Sequence, residues 1–300
     1  MDARFMENKY LNEERTMGTK EKLLKLSLAL TALFTSLAYS IFNESFILNS
    51  KEALVYSLDD NSLVYERNID KRIAPASLTK IMTALVTVDG VDNLDTKIRL
   101  GSDYSRDLEN DGYAVAGLVD GEEITYRKLL EIMLIPSAAD AAMALGENVY
   151  GDMDVFVEKM NDKALSLGMK DTHFDNVIGK DSDQHYTSAR DLLTLFKHID
   201  KIKVIKDIIS SNSVSLEAGK VREERIDFES TILENKEALD AGIIGGKSGT
   251  TDKAGLNWVT FVRKNNKNYI VMSLGSNYRI NSKLRRKPQM DDTLKMIESI

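Results

Sequence analysis

Residues 74–85 read Ala74-Pro75-Ala76-Ser77-Leu78-Thr79-Lys80-Ile81-Met82-Thr83-Ala84-Leu85, and the rest of the chain is best read outward from them. Leu78, Ile81, Met82, Leu85 and Val86 recur at helical spacing. A mostly buried helix is therefore expected from Leu78 to Val88, with Pro75 suited to its start and Ser77 in its first turn. Ser77 and Lys80 lie three residues apart, which puts a hydroxyl and an amine on one face, close enough for the amine to take the hydroxyl proton. Burial disfavours an ammonium and would turn that lysine into a general base. The helix N-terminus also aims backbone N–H groups at any oxyanion forming beside Ser77. A capping serine followed by a solvated lysine has the same spelling, and the motif alone does not choose between them. It is the only Ser-x-x-Lys in the chain.

On either side of this helix lie strands. Ala53 to Tyr56 and Ser62 to Glu66 flank Asp59, Asp60 and Asn61 as a β-hairpin would. Asn257 to Arg263 and Tyr269 to Leu274 do the same around Asn265, Asn266 and Lys267. Between the two hairpins, helical patterns run from Tyr126 to Ile135, Ala138 to Val149, Val155 to Leu167 and Ala189 to Ile199, and Thr293 to Ile300 reads as a last helix that covers the sheet. The expected fold is α/β of the α+β type. One antiparallel sheet is built from both chain ends and flanked by helices, with an inserted, mostly helical subdomain at roughly 90–190.

The 300 residues carry 40 Lys plus Arg against 47 Asp plus Glu, a net charge of -7 that argues against binding nucleic acid through phosphate neutralisation. With 43% hydrophobic and 29% charged residues the chain has the composition of a globular protein. It has no cysteine, which excludes disulfides, thiolate catalysis, Cys-ligated zinc and iron–sulfur sites together. Leu26 to Asn43 is an uncharged apolar run preceded by Lys20, Lys22 and Lys25, as in an export signal or a short membrane anchor. The expected organisation is a polar segment at 1–22, a signal or anchor at 23–43 and a catalytic domain at 44–300. The run is short for an anchor, and Ser36, Ala38 and Ser40 offer small residues for cleavage, so either fate is open. Met17 is a more ordinary start for such a signal than Met1.

Two further stretches can do chemistry. In Leu134-Ile135-Pro136-Ser137-Ala138-Ala139-Asp140, Pro136 interrupts two helical patterns and leaves Ser137 in the break, although Ser137 and Asp140 also read as a helix N-cap and its partner. In Gly245-Gly246-Lys247-Ser248-Gly249-Thr250-Thr251, glycines permit close backbone approach while Lys247 and the hydroxyls offer a carboxylate site; a glycine-rich turn with an exposed lysine would look identical. His173, His185 and His198 lack metal-ligand spacing.

Taken together and in this order, the three motifs resemble the penicillin-recognising active-site serine enzymes. Pro75 to Leu85, Leu134 to Ala142, Leu167 to Phe174 and His185 to Asp191 are similar to the D-alanyl-D-alanine carboxypeptidases of peptidoglycan, over roughly Lys51 to Gly275. The resemblance implies a serine hydrolase in which Lys80 takes the proton of Ser77, Ser77 forms an acyl-enzyme, and Ser137 relays a proton to the leaving D-alanine. It also implies that Lys247, Ser248, Gly249 and Thr250 bind the substrate, with Lys247 and Ser248 holding its carboxylate, that the N–H groups of Ser77 and Thr250 form the oxyanion hole, and that no metal or cofactor takes part. The implied partners are a stem peptide ending in D-Ala-D-Ala, and β-lactams as covalent inhibitors, with membrane contact only through the N-terminal segment and an extracytoplasmic location.

Two positions depart from the family pattern. Ser137-Ala138-Ala139 replaces the usual Ser-x-Asn, which removes an amide near Lys80, and Lys247-Ser248-Gly249 replaces Lys-Thr-Gly with the hydroxyl kept. The first departure makes a catalytically weak penicillin- or wall-peptide-binding protein the main alternative. A class A β-lactamase fits less well, since the stretch from Lys159 to Leu216, where its deacylating Glu would stand, contains none.

Overall fold

The computed structural model describes residues 27–28, 47–277 and 287–300, and its backbone divides at Ile47/Leu48 into two units. The expectations for residues 1–22 and 23–43 fall outside the described residues, apart from Ser27 and Leu28, which are helical. Among the described residues no helix is long and apolar enough to cross a membrane.

In the second unit, β1 (Glu52–Ser57) and β2 (Ser62–Arg67) form the first hairpin, and β10 (Gly255–Lys264) and β11 (Lys267–Ser276) the last. Asn265 and Asn266 both have positive φ, the conformation that a tight two-residue hairpin turn demands and that Asn tolerates. With β9 (Ile243–Thr251) they make one antiparallel sheet in the order β2-β1-β11-β10-β9. The seam between chain ends runs from Glu52 opposite Leu274 to Ser57 opposite Tyr269. Strand β9 is therefore an edge, with one side paired to β10 and the other open.

Alternation along the strands sorts the two faces. Leu54, Tyr56, Val259, Phe261, Ile270 and Met272 join the main core. On the opposite face Ser273 bonds Ser50, which also bonds Asp292 of the C-terminal helix α9 (Pro288–Glu298). The sheet is thus covered on both sides, as expected of a last helix.

The nucleophile candidate precedes helix α1 (Thr79–Gly90) rather than lying in its first turn: Ala76–Leu78 is a separate 3-10 turn, opened by Pro75. Leu78, Ile81, Met82 and Leu85 are fully buried, each contributing roughly 2 kcal/mol of transfer free energy. The remaining helices follow their caps. The Thr125 hydroxyl accepts from the N–H of Lys128 to start α3 (Tyr126–Leu134), and Ser188 accepts from Asp191 to start α6 (Ala189–Ile199). Between these lie α4 (Ala139–Val149) and α5 (Met153–Ser166), and before them the short α2 (Ser105–Asn110); α7 (Lys203–Ile209) and α8 (Lys236–Asp240) follow.

Three short strand pairs join this list: β3 (Arg72–Ile73) with β6 (Thr187–Ser188), β4 (Lys97–Arg99) with β5 (Glu123–Thr125), and β7 (Ser213–Leu216) with β8 (Ile226–Glu229). The first brings the chain that departs at Ile73 back beside itself at Thr187. The second sets a β-hairpin inside the otherwise helical segment.

Asp140 fixes the loop over this segment. Its fully buried carboxylate accepts from the N–H groups of Ala116 and Leu118 at 3.0 Å and from the Ser105 hydroxyl at 2.9 Å. It serves neighbouring chain, not its own helix end alone. Asp140→Ala leaves these buried donors unpaired and is expected to lower the unfolding free energy by about 3 kcal/mol, read from the urea midpoint at unchanged slope, with Asp140→Asn losing less.

Candidate active site

The Ser77 turn is held from two sides by closely approaching glycine backbone. Gly179, at φ +91°, lies so close to the Ala76 carbonyl that a Cβ there would sit 1.9 Å from its oxygen. From the other side, a Cβ on Gly249 of β9 would meet the Ser77 nitrogen at 3.0 Å and the Pro75 oxygen at 3.1 Å. Gly249 is thus the point where the edge strand touches the Ser77 turn. Ala76, at φ +50°, completes a tight bend that alanine rarely adopts.

The loop behind the turn is organised by Asn176, whose side-chain oxygen accepts from the N–H groups of Ile178, Gly179 and Lys180. Its two ends are anchored to the site. Asp181 accepts from the Thr251 hydroxyl at 2.7 Å and from the Lys253 N–H at 3.0 Å, fastening the loop to the end of β9. His185 is buried with Nε2 2.7 Å from the Thr79 hydroxyl, while Nδ1 faces the Asp175 carboxylate at 3.0 Å. Burial pushes this imidazole down to about 4 against the pull of Asp175, so it is neutral at pH 7. It holds the helix between Ser77 and Lys80 and is placed as a structural residue, away from any cluster with His198 in α6.

Lys80 is 1% exposed, and its amine donates to Ser77 Oγ at 2.9 Å. Burial lowers the Lys80 amine to about 7, with the negative charge of Asp140 opposing. Lys80 is therefore not a solvated lysine.

Ser137, at φ +71°, occupies the break between α3 and α4. The N-cap position of α4 is Ala138, without a side-chain bond, so the capping reading of Ser137 fails. The Ser137 hydroxyl instead accepts from Lys247 Nζ at 2.8 Å. The break is pinned by the Ala139 N–H donating to the Ala114 carbonyl at 2.7 Å. With Ala139 in the Asn position, Ser77 is the single hydrogen-bond partner of the Lys80 amine among the described residues.

Lys247 lies on β9 and is fully buried, not exposed on a turn. Its amine also donates to the Ser248 carbonyl at 2.9 Å. Burial first, and the nearby Lys80 second, push it well below the ordinary lysine range. Two amines and three hydroxyls from three distant stretches thus share one cleft: Ser77, Lys80, Ser137, Lys247 and Ser248, with Thr250 two residues further along the same open edge. A second groove, of about 1350 Å³, runs between the β4–β5 and β7–β8 hairpins beside Arg99, Arg127 and Arg222, and none of these site residues lines it.

One residue of the cleft carries no signal in the sequence. Thr231, just beyond β8, donates its N–H to the Ile135 carbonyl at 3.2 Å and accepts from the Ser248 hydroxyl at 2.8 Å. No motif surrounds it, and only the fold brings it to the site.

A family model described as D-alanyl-D-alanine carboxypeptidase matches residues 42–277. The D-alanyl-D-alanine carboxypeptidase DacF of Bacillus subtilis (strain 168) is 35% identical over 156 residues, 52% of this chain and 40% of that one. The chain spans about half the length of the curated relatives it matches first. Among solved structures, the Streptomyces K15 DD-transpeptidase superposes with a TM-score of 0.74 at 24% identity, over 85% of this chain and 99% of that one, a likeness of fold alone. Penicillin-Binding Protein D2 from Listeria monocytogenes, solved in the cefotaxime-bound form, gives 0.68 at 26% identity over 85% and 98%. Matched to one family model along most of its 300 residues, and folded like these enzymes from first hairpin to last, the chain belongs to the D-alanyl-D-alanine carboxypeptidase family.

Proposed function

We propose that the chain is a serine-type D-Ala-D-Ala carboxypeptidase that trims the terminal D-alanine from peptidoglycan stem peptides. The observation that carries the reading is the Ser77 hydroxyl held at 2.9 Å by an amine whose burial keeps much of it unprotonated near pH 7. Lys80 takes the Ser77 proton as Oγ attacks the carbonyl of the D-Ala-D-Ala bond. The oxyanion is received by the N–H groups of Ser77 and Thr250, on the turn and the open strand edge that meet at Gly249. The proton held by Lys80 returns through Ser137 to the amine of the departing D-alanine, and water then hydrolyses the ester by the reverse path. Lys247 and Ser248 hold the free carboxylate of the substrate. An arriving carboxylate supplies the counter-charge that lets the buried Lys247 amine keep a proton. No cofactor is needed for these steps.

Residues 44–300 form the catalytic domain in this reading, acting outside the cytoplasmic membrane, with the uncharged run from Leu26 to Asn43 as signal or anchor. A β-lactam, which carries a strained amide beside a carboxylate, acylates Ser77 in place of the peptide. The cefotaxime-bound Listeria relative supports that expectation.

A second reading, a weakly catalytic penicillin-binding protein, is favoured by Ala139, which supplies no amide to Lys80. The two separate on a pair of measurements. Fluorescent penicillin should label the wild type and leave Ser77→Ala unlabelled, and wild type should release D-alanine from diacetyl-Lys-D-Ala-D-Ala; label without release selects the binder, and absence of Ser77-dependent label removes both.

The protonation of Lys80 sets the sign of the pH dependence. As pH falls below about 7 the amine gains a proton and loses its capacity as base, so the acylation rate should drop by about tenfold per pH unit on the acid side and level off above it. Stopped-time labelling from about pH 5 to about pH 9 measures the limb. Gly249→Ala should keep the circular dichroism of the wild type while slowing acylation by about a hundredfold, because the new methyl pushes β9 off the Ser77 turn.

A further inference from the structure

The proposed reaction fixes the direction in which a substrate lies along β9. Its terminal carboxylate is held at Lys247 and Ser248 and the carbonyl under attack at Thr250, so an extended peptide, advancing about 3.3 Å per residue, brings the residue before D-Ala-D-Ala level with Thr251. The Thr251 hydroxyl bonds Asp181, and Lys180 lies between Asp181 and the Gly179 that touches the Ser77 turn. The rim of the cleft around Lys180 is therefore where the side chain of that upstream residue arrives.

Facing Lys180 is Asp111, the residue that follows α2. The segment it opens leads from Lys180 to the Ser137 break: the Asp111 N–H donates to the Asp107 carbonyl at 3.0 Å, the Tyr113 N–H to the Leu108 carbonyl at 2.9 Å, and the Ala114 carbonyl accepts from Ala139. The Asp111 carboxylate meets Lys180 Nζ at 3.6 Å, its one ion-pair partner among the described residues. With the Lys180 and Asp111 side chains 60% and 58% exposed, water screens the pair and its exchange costs little. Asp181 is placed differently, since its two oxygens are taken by the Thr251 hydroxyl and the Lys253 N–H. Tyr113 feels both carboxylates: burial first, then the charges of Asp181 and Asp111, raise its phenol above the ordinary tyrosine range. This rim thus carries a negative field, and Asp111 is the acid in it whose partner can leave.

We propose that Asp111 is a specificity-determining residue that binds the side-chain ammonium of the residue preceding D-Ala-D-Ala, and that Lys180 occupies its carboxylate until such a substrate displaces it. The inference rests on the carboxypeptidase reading above and deepens it, naming as preferred substrates the stem peptides with a free cationic side chain at that position. An incoming ammonium exchanges one cation for another on the same carboxylate, so Asp111 is never left unpaired, while Lys180 on its flexible four-carbon stem returns to water. A peptide whose side-chain amine is acetylated has no charge to offer and leaves the Lys180 pair in place.

The test compares D-alanine release by the full chain from Nα-acetyl-Lys-D-Ala-D-Ala, whose side-chain ammonium is free, and from diacetyl-Lys-D-Ala-D-Ala, in which it is masked. The ratio of kcat/KM should favour the free amine by about threefold to fivefold, mainly through KM, and should shrink as salt rises from about 0.05 M to about 0.5 M. Asp111→Asn should bring the ratio to about one, Asp111→Lys should invert it, and Lys180→Ala, which removes the competing cation, should raise it by about twofold. Each variant should still form a Ser77 adduct with benzylpenicillin, which carries no cation, followed by intact-protein mass. If Asp111→Asn does not fold, Asp111→Ser carries the same expectation. A free-to-masked ratio that Asp111→Asn leaves unchanged overturns the inference, as does a ratio that Lys180→Ala lowers. Failure of the wild type to release D-alanine from either peptide overturns the carboxypeptidase reading and this inference with it, whereas release from both with an indifferent Asp111→Asn overturns only the role of Asp111.

Discussion

The removal of one amine from water is the constraint around which this molecule is arranged. A lysine ammonium is strongly hydrated, and hiding it without a counter-charge in contact is costly enough that the proton itself becomes loosely held. Lys80 is in that position: nearly inaccessible, bonded to a neutral hydroxyl, and only distantly favoured by Asp140. Packing on every side is what sustains the condition. Lys80 is buried in α1, while β9 through Gly249 and the loop at Gly179 close on the Ser77 turn just before it.

A second buried amine in the same cleft sharpens the effect. Lys247 is as inaccessible as Lys80, and the nearby Lys80 further disfavours charge on it. The site is therefore a place of low positive charge lined with hydroxyls. The positive φ angles of Ala76 and Ser137 fit this picture, because both serines are set on bends that turn their hydroxyls toward the two amines. Such bends persist only where the surroundings determine them. Asp140, Asn176 and His185 are polar side chains spent on fixing loops rather than on contacting the two amines.

Much of this was legible in the residues, and the exceptions have physical reasons. The two hairpins announced themselves by alternation around Asn and Asp, and the helices α1, α3, α4, α5, α6 and α9 by their apolar period, since both signals are local, whereas the short α2, α7 and α8 span too few turns to show one. The pairs β3–β6, β4–β5 and β7–β8 were not, because two to four residues carry no period and their pairing is decided by distant packing. Ser77 was expected one turn too far inside its helix because Pro75 suits a 3-10 turn as well as an α-helical start. Ser137 was ambiguous for a better reason: a cap and a cleft serine have the same spelling, and only the arrival of Lys247 from more than a hundred residues away separates them. Thr231 was invisible for the same reason without even a motif to draw the eye.

The seam between β1 and β11 joins Glu52 to Leu274, so the middle of the sheet is stitched from residues more than two hundred positions apart. Contacts of such long sequence separation form late, after loop closure has been won elsewhere. Strand β9 reaches the Ser77 turn as part of that same sheet, through β10 and β11. During synthesis, a ribosome that has delivered Ser77 and Lys80 has not yet delivered the wall that dries them. Ser77 stays an ordinary wet serine beside an ordinary charged lysine until the final hairpin docks, so on the proposed reading the pair becomes reactive only at that late step.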